Sequence, residues 1–269
     1  MIELAQVALN AGDRPLLEDL DARFEPGEFV AVLGRNGAGK TTLLRAVAGL
    51  HPLARGEIRI DGSSVAVLMP AERALCVALV ASDDVLFEAL RVRDVVAIGR
   101  FPHHRWWQWH ERPDDEAAVG RALEAVGIGS FAQRFFATLS SGERQRVWIA
   151  LGLAQDTPVL LLDEPTSHLD VRVAHDILKL LRAQANEGKA VVCALHDLNE
   201  AAAYADRIAL LGEGRLLAAD SPEVVFGGDL VERAYGIVME RVRLPDGSLR
   251  LFTRNGAGGR VADANDQNC

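Results

Sequence analysis

Apolar positions along this chain repeat with two different periods. Uninterrupted apolar runs at 29–33, 76–80, 159–162 and 190–195, and the segment 207–211 that is apolar after Arg207, read as short strands buried on both faces. Helical spacing at 171–186 and 199–205 falls between the later runs, and that alternation predicts a parallel sheet with helices packed on it. Alternating patterns at 2–9 and 16–24, joined by the turn Asn10-Ala11-Gly12-Asp13, and at 56–62 predict antiparallel strands near the N-terminus. A helix over 40–48 stops at Gly49. From 83 to 153 the texture turns helical, at 92–99, 114–126 and 139–153, with Ala118, Val119, Ala122, Leu123 and Val126 on one face. After the turn Gly212-Glu213-Gly214 come a strand at 215–219, short helices at 222–226 and 229–235, and a hairpin (238–243 with 248–252) about Pro245-Asp246-Gly247. Residues 255–269 are small and polar and are expected to be a disordered tail. The expectation is one α/β domain over 1–254. Its core is 1–82 and 154–225, with a helical insertion at 83–153 and a C-terminal extension at 226–254.

Composition narrows the partners. A hydrophobic content of 49% is ample for a core, and a net charge of −9 argues against nucleic acid as a direct partner. Cys76, Cys193 and Cys269 lie far apart, with no disulfide or zinc spacing, which suits a reducing compartment. Residues 1–4 show no basic n-region, so no signal peptide is expected. No apolar run reaches the roughly 18 residues that a membrane span needs.

Chemistry concentrates first at 30–44. There a buried strand breaks into Gly34-Arg35-Asn36-Gly37-Ala38-Gly39-Lys40-Thr41-Thr42 and resumes as a helix, which is the phosphate-binding P-loop spacing. Gly37 and Gly39 let successive N–H groups turn inward on phosphate oxygens, and the helix start adds its positive end. Lys40 supplies a cation for the β- and γ-phosphates, and the Thr41 hydroxyl is placed to ligate Mg²⁺. A second constellation is the strand 159–162 running into Asp163-Glu164-Pro165. Ligands of α/β sheets sit at the carboxyl ends of strands, so Asp163 is expected to face the metal and Glu164 the attacking water. Taken alone, the two acids also fit a solvated loop after a core strand.

A third constellation, Leu139-Ser140-Ser141-Gly142-Glu143, opens a helix, for which Ser140 or Ser141 is a suitable cap. The order P-loop, Leu-Ser-Ser-Gly-Glu, Leu-Leu-Leu-Asp-Glu-Pro, Ser167-His168-Leu169-Asp170 and then His196 resembles the ATP-binding cassette family over residues 1–220. That resemblance implies a P-loop NTPase core with a parallel sheet, an antiparallel β subdomain and an α-helical insertion, binding ATP with Mg²⁺. It implies that Ser140, Ser141, Gly142 and Glu143 cover ATP held by a second copy, that Asp170 crosses the dimer interface, and that His196 contacts the γ-phosphate and positions Glu164. A homodimer follows, docked on the cytoplasmic face of the cell membrane against integral permease subunits and, through them, a substrate-binding protein. Shorter matches at 95–103, 153–158, 195–201 and 234–252 are similar to the subfamily that energises import of ferric siderophores, haem and vitamin B12.

Departures from the family pattern are equally legible. Ala11 stands where an aromatic residue commonly stacks on adenine, and Ser82 stands in the slot of a glutamine that touches the metal. Serine is too short for that reach without a bridging water, which implies weaker coupling between metal site and transport. Ser141 and Glu143 replace the more usual glycine and glutamine. Residues 101–110 gather three of the four tryptophans beside three histidines. Their readings are partial burial, docking on a membrane subunit, or a metal or haem site. A cassette ATPase acting on nucleic acid or ribosomes, one serving another cargo, and a P-loop kinase are the competing functions. The acidic balance and the absence of heptads oppose the first, and the Leu-Ser-Ser-Gly-Glu stretch is superfluous to the last.

Overall fold

The computed structural model describes residues 1–81, 87–104, 113–167, 169–245 and 247–253. The alternating N-terminal segments become β1 (Ile2–Ala11) and β2 (Arg14–Phe24), an antiparallel pair joined at Gly12-Asp13, so Asn10 and Ala11 belong to the strand and not to the turn. The apolar run before the P-loop is β3 (Phe29–Leu33), buried throughout, and the helix after it is α1 (Lys40–Val47). β4 (Arg55–Ile60) pairs antiparallel with β1, and the short β5 (Ser63–Ser64) completes a four-stranded sheet of order β2-β1-β4-β5.

Cys76 does not begin a strand; it ends α2 (Pro70–Cys76), and β6 is Val77–Val80. Proline at the first helical position needs no N–H partner, and Glu72 accepts the Met69 N–H at 2.8 Å, so capping holds this helix together. The helical region follows as α3 (Val92–Ala97), a 3₁₀ stretch (Ile98–His103), α4 (Pro113–Ala125) and α5 (Ser141–Ala154). Then β7 (Val159–Asp163), α6 (Val171–Asn186), β8 (Ala190–Ala194), α7 (Leu198–Tyr204), β9 (Arg207–Gly212) and β10 (Arg215–Asp220) alternate largely as the periods require. The chain continues through α8 (Pro222–Gly227), α9 (Leu230–Tyr235) and the hairpin β11 (Met239–Arg243) with β12 (Leu249–Thr253). Asp246 at its turn and the predicted tail at 255–269 lie outside the described residues.

The central sheet has the order β10-β9-β3-β8-β7-β6, parallel except for the edge strand β10. Its strands alternate side chains between two cores, as the period of two demands. Phe29, Ala31 and Leu33 face one core with α5, α6 and the helical region, whereas Val30 and Val32 face the other with α1 and the antiparallel sheet. The result is an α/β architecture in which β3, β8 and β7 lie side by side with their carboxyl ends at one edge.

Candidate functional site

Those three strand ends build the site. Beyond β3, Gly34 takes φ +153° and Gly39 φ +98°. A Cβ on Gly34 would stand 2.8 Å from the Leu211 carbonyl oxygen, and one on Gly39 would stand 2.8 Å from Leu17 Cδ1, so both positions demand glycine. The loop then delivers Lys40 and Thr41 as the first turn of α1. Lys40 is 5% exposed; its Nζ donates to the Gly34 carbonyl at 3.0 Å and lies 3.9 Å from Glu164 Oε1. Burial lowers the pKa of its ammonium, and the Glu164 and Asp163 carboxylates push it back up.

From β7 come Asp163 and Glu164. Burial raises the pKa of the Asp163 carboxyl; a hydrogen bond from Thr41 lowers it, Glu164 raises it, and Arg45 and Lys40 lower it. Asp163 Oδ1 is buried and, among the described residues, has no hydrogen-bond partner. A buried carboxylate oxygen left unpartnered beside a hydroxyl is a donor set suited to Mg²⁺, a hard cation that takes few protein oxygens. Glu164 sits at φ +53°, the left-handed region that a side chain rarely adopts. Its N–H donates to the Ala194 carbonyl at 3.2 Å, which ties the strained residue to the end of β8. Beyond β8, His196 places Nε2 2.6 Å from Glu164 Oε1.

A cavity of about 430 Å³ joins these groups, walled by Ala11, Leu16, Asn36, Gly37, Gly39, Lys40, Thr41, Thr42, Glu164 and His196. Gly34, Arg35 and Ala38 shape the loop from behind. The Gly34 N–H donates to the Tyr235 hydroxyl, Arg35 Nη1 lies 3.7 Å from where a Cβ of Gly236 would be, and Ala38 packs on the core. Leu16 carries no motif, and only the proximity of β2 to the loop reveals it.

Ser140, Ser141, Gly142, Glu143 and Asp170 do not wall this cavity. Ser140 caps α5: its Oγ accepts the Glu143 N–H at 3.3 Å, and Glu143 Oε2 accepts the Ser140 N–H at 2.7 Å. Arg134 donates to Glu143 at 3.0 Å, and the Ser140 backbone bond heads the causes that lower the Glu143 carboxyl's pKa. Asp170 caps α6 through the Val173 N–H at 2.9 Å. Gly142 and Leu169 are neighbours, so the two motifs share one surface of the chain. Ser82, His168, Arg105, the three clustered tryptophans and His110 lie outside the described residues. His103 Nε2 bonds the Gln155 carbonyl at 2.8 Å, and His104 Nε2 bonds Asp115 Oδ2 at 2.7 Å. Among the described residues no group of three His, Cys, Asp or Glu could hold a metal.

A phosphate loop, a glutamate and a histidine around one cavity, with a buried aspartate bonded to Thr41 of its wall, on a parallel sheet define a P-loop nucleotide-binding protein. The sequence profile of the ABC transporter family matches residues 17–167, and the chain belongs to that family as an ATP-binding, ATP-hydrolysing subunit. It is 44% identical over 228 residues to the "Hemin import ATP-binding protein HmuV" of Streptomyces coelicolor, covering 84% of this chain and 80% of that one. It is 38% identical over 237 residues to the "Ferric enterobactin transport ATP-binding protein FepC" of Escherichia coli, covering 86% of each. Among solved structures, the dimeric bacterial ABC transporter cassette MJ0796 superposes with a TM-score of 0.72 at 27% identity, over 82% of this chain and 99% of that one. No helix among the described residues is long and apolar enough to cross a membrane.

Proposed function

We propose that this chain powers an importer of iron–siderophore, haem or cobalamin, working as a head-to-tail homodimer on the cytoplasmic face of the cell membrane. The observation that carries the reading is the meeting of Lys40, the Thr41–Asp163 pair and the Glu164–His196 pair around one cavity. Relatives named for hemin, ferric enterobactin and siderophore transport support the cargo class. In this reading the loop N–H groups and Lys40 hold the β- and γ-phosphates, while Thr41 and Asp163 are the chain's ligands to Mg²⁺. When bound, the cation neutralises phosphate charge. Glu164 takes a proton from the water whose oxygen attacks the γ-phosphorus, and the bond to the bridging oxygen of the ADP leaving group breaks. His196 holds the Glu164 carboxylate in line. Ser140–Glu143 and Asp170, away from their own chain's cavity, serve the site of the second copy.

The membrane subunits are assigned an apolar groove of about 530 Å³ lined by Leu50, Leu79, Phe87, Trp148 and Leu151, with Arg45 at its wall. Arg45 also acts electrostatically on Asp163, so a permease segment seated there lies next to the metal ligands. The test is to co-express the chain with its membrane subunits in vesicles and to supply labelled ferric siderophore, haem or cobalamin in turn. ATP-dependent uptake of one of them is expected, and uptake of none would overturn the cargo class.

The adenine side is aliphatic, with Ala11 and Leu16 in the cavity wall. Ala11→Tyr is expected to tighten ATP binding about tenfold, because stacking a base on an aromatic ring contributes roughly 1–3 kcal/mol. Titration with a fluorescent ATP analogue checks it, and unchanged affinity would place the base elsewhere.

A further inference from the structure

Two sets of contacts tie the C-terminal extension to two elements that carry the nucleotide site, the phosphate loop and the helix after His196. At the first, the Tyr235 hydroxyl at the end of α9 accepts the Gly34 N–H at 3.1 Å, across 201 positions of sequence. Gly34 is the first residue of the phosphate loop, and its carbonyl holds Lys40 Nζ at 3.0 Å. The phenol therefore fixes one peptide of Gly34 while the ammonium occupies the next. Arg35 lies over Gly236, which ends α9 at φ +69°. At the second, Asn199 in α7 pairs with Leu251 of β12 in both directions: its Nδ2 donates to the Leu251 carbonyl at 3.1 Å, and its Oδ1 accepts the Leu251 N–H at 2.8 Å. Helix α7 begins directly after His196, with Asp197 as its cap, taking the Asn199 N–H at 2.6 Å.

The extension is itself braced between these ends. Arg241 of β11 forms a two-pronged pair with Glu232 of α9, both contacts at 2.8 Å, and donates to the Phe226 and Gly228 carbonyls. Such a bidentate guanidinium–carboxylate pair is directional as well as strong, so α8, α9 and the hairpin are linked to one another. A braced element with one end on the phosphate loop and the other on the helix after His196 links the two.

We infer that the C-terminal extension is a positioning element of the nucleotide site: Tyr235 sets the phosphate loop, and the Asn199–Leu251 pair sets the helix that carries His196. The inference rests on the placement of ATP in this cavity. Neither residue touches the reacting atoms, so the two act on different parameters. Tyr235→Phe keeps the ring and leaves the Gly34 N–H without its acceptor, so binding must then reorder the loop. It is expected to raise the Kd for ATP about five- to tenfold, with kcat at saturating ATP within about twofold of wild type. Asn199→Ala leaves the phosphate loop alone and frees the helix after His196. It is expected to lower kcat about tenfold, with the ATP Kd within about twofold.

Both variants of the full chain are to be compared with wild type by ATP-analogue titration, steady-state hydrolysis and thermal melting. The split between binding and turnover is the result that sustains the inference. A Tyr235→Phe chain with wild-type Kd overturns it, and so does a pair of variants that lose only melting temperature. A wild-type chain that binds no ATP would instead strike the placement of nucleotide in the cavity, so the two failures are distinguishable.

Discussion

Glu164→Gln is expected to cut ATP turnover by about 10²–10⁴-fold while ATP binding stays within a few-fold of wild type. The substitution is nearly isosteric, and a glutamine Oε1 can still accept the hydrogen bond from His196 Nε2, which now lies 2.6 Å from the carboxylate. What is lost is the ability to take a proton from water. Lys40, 3.9 Å from the same carboxylate oxygen, keeps its bond to the Gly34 carbonyl, so the phosphate loop has no reason to rearrange. The Glu164 backbone, at φ +53°, also fixes where that carboxylate points. A residue held in the left-handed region costs on the order of 1–3 kcal/mol, and it persists here because the Ala194 carbonyl and the neighbouring strand end hold it. That conformation aims the side chain into the cavity. With hydrolysis blocked, ATP should accumulate on the protein, and the homodimer should appear in size-exclusion chromatography with ATP and Mg²⁺ but not with ADP. Rapid hydrolysis by the variant would remove Glu164 from the role of base.

Much of this site is readable along the chain because each part is local. The glycines of the loop, Lys40 and Thr41 sit within eight consecutive positions, and the strand ending in Asp163 and Glu164 announces itself by an unbroken apolar run. The parallel sheet makes their meeting a topological necessity, since β3, β7 and β8 are neighbours pointing the same way. Other parts are not local. Leu16 reaches the cavity only because β2 packs beside the loop, and Tyr235 meets Gly34 through a fold that brings α9 against the sheet. No periodicity reports such contacts. Helix α2 escapes for a different reason: it has seven residues, none of them buried, so it shows no apolar face. Its legible signal was proline followed by glutamate two positions later, a capping pattern rather than a hydrophobic one. The serines and glutamate of the third motif are a mixed case. Their capping role is visible within one chain, whereas any action on nucleotide requires a second copy that the sequence can only imply.

Asp163→Asn is expected to stabilise the nucleotide-free chain and to disable it. Thr41 bonds the Asp163 side chain and Arg45 and Lys40 attract its charge, yet burial outweighs them, and its pKa stands above the ordinary aspartate value. A charge that burial penalises, with one oxygen unpartnered, is a cost borne by the folded state until a cation arrives. The sign follows from proton counting. With the folded pKa raised, the folded chain holds more protons than the unfolded one between the two values, so this group's contribution to stability falls as pH rises through that window. The amide does not titrate, so the variant should lack that fall and at neutral pH should melt about 2–4 °C higher, the shift that roughly 1 kcal/mol produces in a domain of this size. Hydrolysis should drop by about 10²–10³-fold, since a metal's charge stabilisation contributes several kcal/mol. Added Mg²⁺ with ATP should raise the melting temperature of wild type more than that of the variant, because only the carboxylate gains a partner. Scanning calorimetry from pH 4 to pH 8, with and without Mg²⁺ and ATP, measures the stability effects, and a steady-state assay measures the loss of hydrolysis. A variant that melts lower than wild type without nucleotide would refute the account of a carboxylate penalised by burial. One that hydrolyses ATP at the wild-type rate would remove Asp163 from the metal site.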